Sequence, residues 1–179
     1  MKSRFHNPDP HATMTIPVRV RGFTLVELLI VMVIVSILAA IAIPSYAAYV
    51  RRGNRALAKS LISEILQKEE GFAIDHKQYT GTLSDLGYGT GAVFLHSDGN
   101  VSNVGTGALY TISLADGAST SCPPPIVAVG STSVLVSVVA APPAGSSQAA
   151  DVCGTLCVNS NGVKGISAAA TRFDECWGR

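Results

Sequence analysis

The hydrophobic pattern of the chain is dominated by one long apolar run near its N-terminus. The run extends from Phe23 to Ile43, and its only polar residues are Thr24, Glu27 and Ser36. As an α-helix it would be about 31 Å long, which is enough to cross the hydrocarbon core of a bilayer. It is also longer than the roughly 7–15 apolar residues of a secretory signal peptide. The pattern therefore predicts a membrane-spanning helix.

The residues after this run predict a second helical segment of different character. Pro44 lies inside the helical pattern, where its missing N–H group and its ring should kink the helix. The pattern then continues to about His76, with an apolar stripe on one side and charged residues on the other. The stripe consists of Leu57, Ala58, Leu61, Ile62, Ile65, Leu66 and Phe72. We expect the first half of the helix to contact lipid or identical helices, and the second half to pack on a globular domain.

Beyond His76 the pattern becomes that of strands and turns. Alternating stretches predict strands at 110–114, 134–138 and 154–159. Asn161-Gly162 is a strong hairpin signal that leads into Val163-Lys164. Tyr79 to Gly105 is expected to be a loop with short elements and a turn at Asp98-Gly99. The expected fold is α+β, with the long helix packed on an antiparallel sheet of three to five strands.

A glycine stands directly before the apolar run, and an acid stands four residues inside it. The segment reads Arg21-Gly22-Phe23-Thr24-Leu25-Val26-Glu27. Because a charged side chain in a membrane span costs up to ~2.5–3.5 kcal/mol on insertion scales, Glu27 is a candidate functional residue. A simple signal anchor is the competing interpretation, and it leaves both Gly22 and Glu27 unexplained.

This segment closely resembles the processing site of type IV prepilins. The resemblance implies that a prepilin peptidase cuts between Gly22 and Phe23 on the cytoplasmic side of the membrane and N-methylates Phe23. The acid of that family matches Glu27, and its helix-kinking proline matches Pro44. Further matches look like minor pilins of the PilE type. They are Ile43-Pro44-Ser45-Tyr46, Tyr49-Val50-Arg51-Arg52, Gln78-Tyr79-Thr80 and the segment 83–88.

The resemblance also implies the organisation of the chain and its place in the cell. It gives a cleaved leader at 1–22, a transmembrane and filament-core helix at 23–43, an amphipathic half-helix at 44–77 and a disulfide-stapled head at 78–179. This is a type IV pilin-like α+β architecture with a kink near Pro44. The subunit would cross the inner membrane once, with its head in the periplasm, before it enters an extracellular pilus.

The charges on the two sides of the span do not by themselves fix its orientation. Four basic residues precede the span and three lie just past its other end, so the positive-inside rule is nearly balanced. Those before it are Lys2, Arg4, Arg19 and Arg21, and those after it are Arg51, Arg52 and Arg55. The prepilin resemblance places the residues after Pro44 outside the cytoplasm. The start of the leader also stays open between Met1 and Met14.

Two interpretations of Glu27 remain open. After cleavage, Phe23 would carry a free amine, and the Glu27 carboxylate would lie one helical turn away. In lipid or in a helical bundle each charge needs a partner. Glu27 can be neutralised within its own chain. It can also pair with the amine of a neighbouring subunit and set the axial register of assembly, which is the role that the resemblance implies.

The basic residues at 51–59 have three interpretations. A solvated collar near lipid headgroups is the simplest, ion pairs between filament subunits are the second, and contact with DNA is the third. Residues 23–179 contain 9 basic and 11 acidic residues, a net charge of −2. Beyond His76 the basic residues are Lys77, Lys164, Arg172 and Arg179. Composition therefore argues against DNA binding through bulk charge, and DNA is the less favoured partner.

The cysteines all fall in the predicted extracytoplasmic head, where an even number implies disulfides with three possible connectivities. They are Cys122, Cys153, Cys157 and Cys176. If Cys153 and Cys157 share a strand, they lie roughly 13 Å apart, too far to form a bridge. The segment 151–156 and Cys176-Trp177 resemble PilE-like pilins, which implies a Cys153–Cys176 bridge. Cys122 and Cys157 would then form a second bridge, which departs from the single bridge usual in that family.

The sequence offers little support for catalysis. It lacks the G-x-S-x-G and HExxH motifs and a phosphate-binding glycine loop, and its histidines, His6, His11, His76 and His96, are scattered. The spacing Cys-x3-Cys with no nearby histidine is poor for zinc. We therefore predict neither an enzyme nor a protein that holds a metal or a cofactor.

These observations predict a structural minor pilin that takes part in pilus assembly, twitching motility or adhesion. Its expected partners are other pilin subunits, the prepilin peptidase and the inner membrane before assembly. Two alternatives are kept. The first is a pilin that binds DNA for natural transformation, and the second is a pseudopilin of a type II secretion system.

Overall fold

The fold is taken from a computed structural model, which describes residues 22–116 and 135–178. A long helix, α1, covers Leu25–His76. The strands are β1 Val93–Leu95, β2 Val101–Ser102, β3 Tyr110–Asp116, β4 Val136–Ala141, β5 Leu156–Asn159 and β6 Lys164–Ile166. A short 3-10 helix at Ala170–Arg172 leads into α2, Phe173–Trp177. The chain divides after Ile43 into two compact units.

In the first unit, α1 begins with a side-chain cap and is apolar all round. The Thr24 hydroxyl accepts a hydrogen bond from the Glu27 backbone N–H at 3.1 Å, the pattern of an N-terminal cap with an acid at its third helical position. Almost all residues from Leu25 to Ile43 are exposed within this unit. By length and composition this helix can cross a membrane.

In the second unit, the amphipathic pattern of α1 is confirmed. Ala58, Leu61, Ile62 and Ile65 are buried in the core of the head, and the remaining members of the predicted stripe are partly buried against it. The helix ends at His76, as expected. Pro44 is an internal residue of α1, and the kink at this position stays a prediction.

The second unit also contains one antiparallel sheet with the strand order β2-β1-β3-β4-β5-β6. Its longest pairing joins β3 to β4, with the register running from Thr111 opposite Ala141 to Asp116 opposite Val136. The side of the sheet that faces α1 supplies much of the core. These residues include Val93, Leu95, Tyr110, Ile112, Val138, Ala140 and Leu156. The predicted α+β architecture is therefore confirmed.

The expected number of strands was wrong, because the described residues alone contain six. The additional strands β1 and β2 form a hairpin inside the stretch that was expected to be mainly loop. They are three and two residues long, too short to show a period-2 pattern. Their turn lies at the predicted Asp98-Gly99, where the Asp98 carboxylate accepts a hydrogen bond from the Asn100 N–H at 3.0 Å.

The predicted hairpin at Asn161-Gly162 joins β5 to β6. The Asn159 side chain accepts a hydrogen bond from the Val163 N–H at 2.9 Å, and Gly162 has the positive φ of 77° that this turn needs. Strand β5 begins at Leu156 rather than at Gly154, because Gly154 lies in a turn with φ 61°. Val134, the predicted start of another strand, lies outside the described residues.

Candidate functional site

The predicted processing site lies just before α1. Gly22 and Phe23 are exposed and precede the first helical residue, and the Phe23 side chain is 82% exposed. The bond between them therefore lies in exposed, non-helical backbone. No ion pair of the described residues includes Glu27, so its side chain is available to a partner outside this chain.

The basic residues at 51–59 do not form one solvated collar. Arg55 is only 5% exposed, and its Nε lies 3.1 Å from a carboxylate oxygen of Asp151. Its guanidinium also donates to the Glu175 carbonyl at 3.2 Å and to the Cys153 sulfur at 2.8 Å. The collar interpretation is therefore wrong for Arg55, which belongs to the interior of the head.

A buried polar network surrounds this ion pair. The side-chain amide of Gln148, which is fully buried, donates to Asp151 at 2.7 Å and to the Arg51 carbonyl at 3.2 Å. Its oxygen accepts from Asn54 at 3.1 Å. Burial, followed by the charge of Asp151, raises the pKa of the neighbouring Tyr110 hydroxyl. The network fastens the segment before β5 to α1.

The cysteines reinforce the same region. Cys153 and Cys176 form a disulfide with a sulfur–sulfur distance of 2.07 Å and a Cα–Cα distance of 5.7 Å, which is the pairing implied by the family resemblance. The bridge ties α2 to the segment before β5. Cys157 is also disulfide-bonded, and its predicted partner, Cys122, lies outside the described residues.

A second feature of the head is a basic and aromatic surface, here called the Trp177 surface, made of Arg52, Lys59, Lys164 and Trp177. The ammonium groups of Lys59 and Lys164 lie 5.5 Å and 5.6 Å from the centre of the Trp177 ring. The indole N–H donates to the Gly165 carbonyl at 3.0 Å, which fixes the ring. Arg52, Arg55 and Lys59 line a neighbouring cavity of about 260 Å³ together with Glu175 and Gly178, so one acidic side chain also borders this surface.

The charges on the Trp177 surface repel one another. Partial burial, and then the positive charges of Arg55 and Lys164, lower the pKa of Lys59 from its ordinary value. An anionic group placed over the ring would relieve this repulsion. Sequence reasoning missed the surface because Lys59 and Lys164 belong to elements far apart in the chain, and only their shared contact with Trp177 brings them together.

No group of three or more His, Cys, Asp or Glu side chains in the described part of the chain is arranged to hold a metal ion. The two histidines in that part bond locally. His76 contacts the Phe72 carbonyl at 3.1 Å, and His96 contacts the Ser102 hydroxyl at 3.0 Å. The same nitrogen of His96 also lies 3.1 Å from the Val104 carbonyl.

Comparison with known proteins gives a family assignment. The model of a family described as "Type IV minor pilin ComP, DNA uptake sequence receptor" matches residues 44–157. The model described as "Prokaryotic N-terminal methylation motif" matches residues 18–43. The first match alone covers more than half of the chain, and the second contains the predicted cleavage site.

Curated relatives match only part of this chain. The type IV major pilin protein PilA of Myxococcus xanthus is 36% identical over 70 residues, which is 39% of this chain and 32% of that protein. The type IV wide pilus major component PilA4 of Thermus thermophilus is 38% identical over 66 residues, 37% of this chain and 50% of that protein. The type IV major fimbrial protein FimA of Dichelobacter nodosus is 35% identical over 94 residues, 50% of this chain and 59% of that protein.

The chain thus spans between about a third and three fifths of the length of these relatives. The fold, the N-terminal motif and the match over residues 44–157 agree with one another. The chain therefore belongs to the family of type IV minor pilins described as ComP, DNA uptake sequence receptor.

Proposed function

We propose that this chain is a minor pilin subunit, cut between Gly22 and Phe23 and assembled through its N-terminal helix into a type IV pilus. The observation that carries the proposal is the exposed, apolar first part of α1, which lies within the matched methylation motif at 18–43. Such a surface needs lipid before assembly and other apolar helices after it.

Processing changes the charge at the start of this helix. Hydrolysis leaves a carboxylate on Gly22 and an amine on Phe23, and N-methylation keeps that amine basic. Glu27 lies one turn further along α1, and no cation of the described chain pairs with it. A neighbouring amine is a partner of the right charge, and its pairing with Glu27 sets the axial position of the incoming subunit.

The head is proposed to lie outside the cytoplasm, first in the periplasm and then on the pilus. Its disulfide between Cys153 and Cys176 supports an oxidising compartment. The network around Arg55 and Asp151 supports a rigid head that keeps its shape during transfer from the membrane to the filament. The proposed partners are the prepilin peptidase, the inner membrane and other pilin subunits, and no catalytic activity is proposed.

The test combines mass spectrometry with variants of Glu27. Protein from the native host membrane should begin at N-methylated Phe23. Glu27→Ala should be cut normally but enter sheared pili poorly. Glu27→Gln, which keeps the shape without the charge, should fail in the same way, whereas Glu70→Gln in the head should assemble like the native chain.

Three outcomes would contradict the proposal at different steps. A retained leader, or cleavage at another bond, would leave a signal-anchored protein with no place in a filament. Normal assembly of Glu27→Ala would keep the pilin assignment and remove the proposed register role of the acid. If deletion abolished the export of secreted enzymes but spared motility, the pseudopilin alternative would be favoured.

DNA capture is the second candidate function, and the Trp177 surface favours it. The matching family is described as a DNA uptake sequence receptor. Lys59 and Lys164 can contact phosphates, while an aromatic ring between them is the kind of platform on which a base stacks. The net charge of −2 for residues 23–179 means that any such binding must be local to this surface.

A gel-retardation experiment with the full-length mature protein in detergent tests this candidate. Lys59→Ala with Lys164→Ala should strongly weaken retardation and reduce the dependence of the remaining binding on salt. Lys68→Ala with Lys77→Ala removes the same total charge elsewhere and should leave retardation unchanged. Equal loss in both double variants, or no retardation by the native protein, would exclude the Trp177 surface as a DNA site.

A further inference from the structure

Glu69, on the head-facing side of α1, is a buried carboxyl group that pilus assembly does not use. Its side chain is completely buried. One oxygen, Oε2, accepts a hydrogen bond from the Thr80 backbone N–H at 3.1 Å. The other oxygen, Oε1, is buried and has no hydrogen-bond partner in the described part of the chain. A carboxylate with an unpaired buried oxygen is costly, whereas a neutral carboxyl group is much less so.

The loop that follows α1 is held to the helix through this residue and its neighbours. The Thr80 hydroxyl donates to Asp85 and accepts from the Thr82 N–H at 3.1 Å. The Tyr79 hydroxyl donates to Glu70 at 2.8 Å. Among these contacts, the one from Thr80 to Glu69 is the only one that is fully buried. It is therefore the contact most sensitive to the charge of its acceptor.

The charges that face Glu69 are negative. Glu70 comes from α1 and Asp85 from the loop, and Tyr79 lies beside them. The nearest basic side chain in the sequence, Lys68, pairs with Glu64 at 3.1 Å. Further along, Lys77 donates to the Ile74 carbonyl and His76 contacts the Phe72 carbonyl. Burial first, and then the charges of Asp85 and Glu70, raise the pKa of Glu69 to about 7, against the opposing effect of the Thr80 N–H.

We propose that Glu69 is a protonation-dependent latch that holds the loop 79–86 on α1 when its carboxyl group is neutral and loosens the loop when the group is ionised. The pKa is higher in the folded state than in the unfolded chain. The stabilisation is therefore complete below the ordinary pKa of 4.5 and is lost as the pH rises through about 7. The latch is independent of pilus assembly, so either proposal can fail alone.

Hydrogen exchange at the Thr80 amide tests the latch directly, because that N–H donates to Glu69. In the full-length mature protein in detergent, its protection factor, corrected for intrinsic exchange, should fall by about tenfold or more between pH 5.5 and pH 8.5. In Glu69→Gln, which cannot ionise, the protection factor should stay nearly constant. The matched variant Asp75→Asn, which removes an exposed acid of α1, should keep the fall.

Two results would overturn the latch. One is constant protection in the native protein, and the other is an equal fall in Glu69→Gln. If Glu69→Gln does not fold, the carbon-13 shift of the Glu69 carboxyl group decides in the native chain. A titration midpoint near pH 7 supports the latch, and one near the ordinary 4.5 excludes it.

Discussion

Arg55 and Asp151 form an ion pair inside the head, with their side chains only 6% and 1% exposed and 3.1 Å between Nε and the carboxylate. The pair joins α1 to the segment that precedes β5. Both partners also bond to other buried groups, Arg55 to the Cys153 sulfur and Asp151 to Gln148. The removal of either partner therefore leaves an uncompensated charge in the interior.

The first prediction is that Arg55→Ala lowers the free energy of unfolding of the head by about 3–5 kcal/mol, because Asp151 loses its partner without access to water. Arg52→Ala removes an exposed cation three residues earlier and should change stability by less than about 0.5 kcal/mol. Denaturant unfolding of both variants in detergent measures the difference. Similar stabilities would mean that the pair contributes nothing beyond a surface salt bridge.

The second prediction concerns the bridge between Cys153 and Cys176. On the loop-entropy model, its loss should cost about 3–4 kcal/mol. Cys153→Ser, Cys176→Ser and the double variant should be destabilised by about the same amount, because each removes the same bridge. If the double variant lost the sum of the two single losses, the two sulfurs would not share one bond.

The third prediction compares two glycines. Gly154 has φ 61°, and a Cβ there would collide with the Ser167 hydroxyl, so Gly154→Ala should destabilise the head by about 1–3 kcal/mol. Gly53 lies in α1 with open space around its Cα, and Gly53→Ala should stabilise the helix by up to about 1 kcal/mol. Thermal unfolding of both variants checks the prediction. Gly154→Ala should lower the melting temperature, and Gly53→Ala should raise it.

The fourth prediction concerns Pro44, where α1 should be bent. The Cα atoms of Ser36 and Arg52, two exposed positions suited to spin labels, should lie closer together in the native chain than the roughly 24 Å of a straight helix. Pro44→Ala should lengthen that distance, because it restores a backbone donor and removes the ring clash. An unchanged distance in Pro44→Ala would show that the proline does not bend this helix.

The sequence predicted those elements whose hydrophobic pattern repeats over many turns. The 52-residue helix and its buried stripe follow from periodicity. The hairpin between β5 and β6 follows from its Asn-Gly signal, but its loop is longer than the two residues expected, since the Gly162 N–H donates to the Asn159 carbonyl. The β1–β2 hairpin could not be predicted in the same way, because its strands are too short to show a pattern.

The buried polar residues of the head were not predicted from the sequence either. Asn54, Arg55 and Glu69 look like ordinary surface residues of an amphipathic helix, and only distant partners reveal why they are buried. Asn54 bonds to Gln148, 94 positions later. The Trp177 surface was missed for the same reason, since no local sequence pattern connects Lys59 with Lys164. Contacts of this kind become visible only when the fold is known.

The cap at the start of α1 has a consequence for maturation. Thr24 lies on the side of the Gly22–Phe23 bond that is kept, so the proposed cut leaves the first turn and its hydrogen bond to Glu27 intact. The cut also adds a positive charge at the end of the helix where the backbone dipole is already positive, an unfavourable placement. In an unassembled subunit Thr24 and Glu27 would oppose that effect, before Glu27 takes its proposed partner, the amine of a neighbouring subunit.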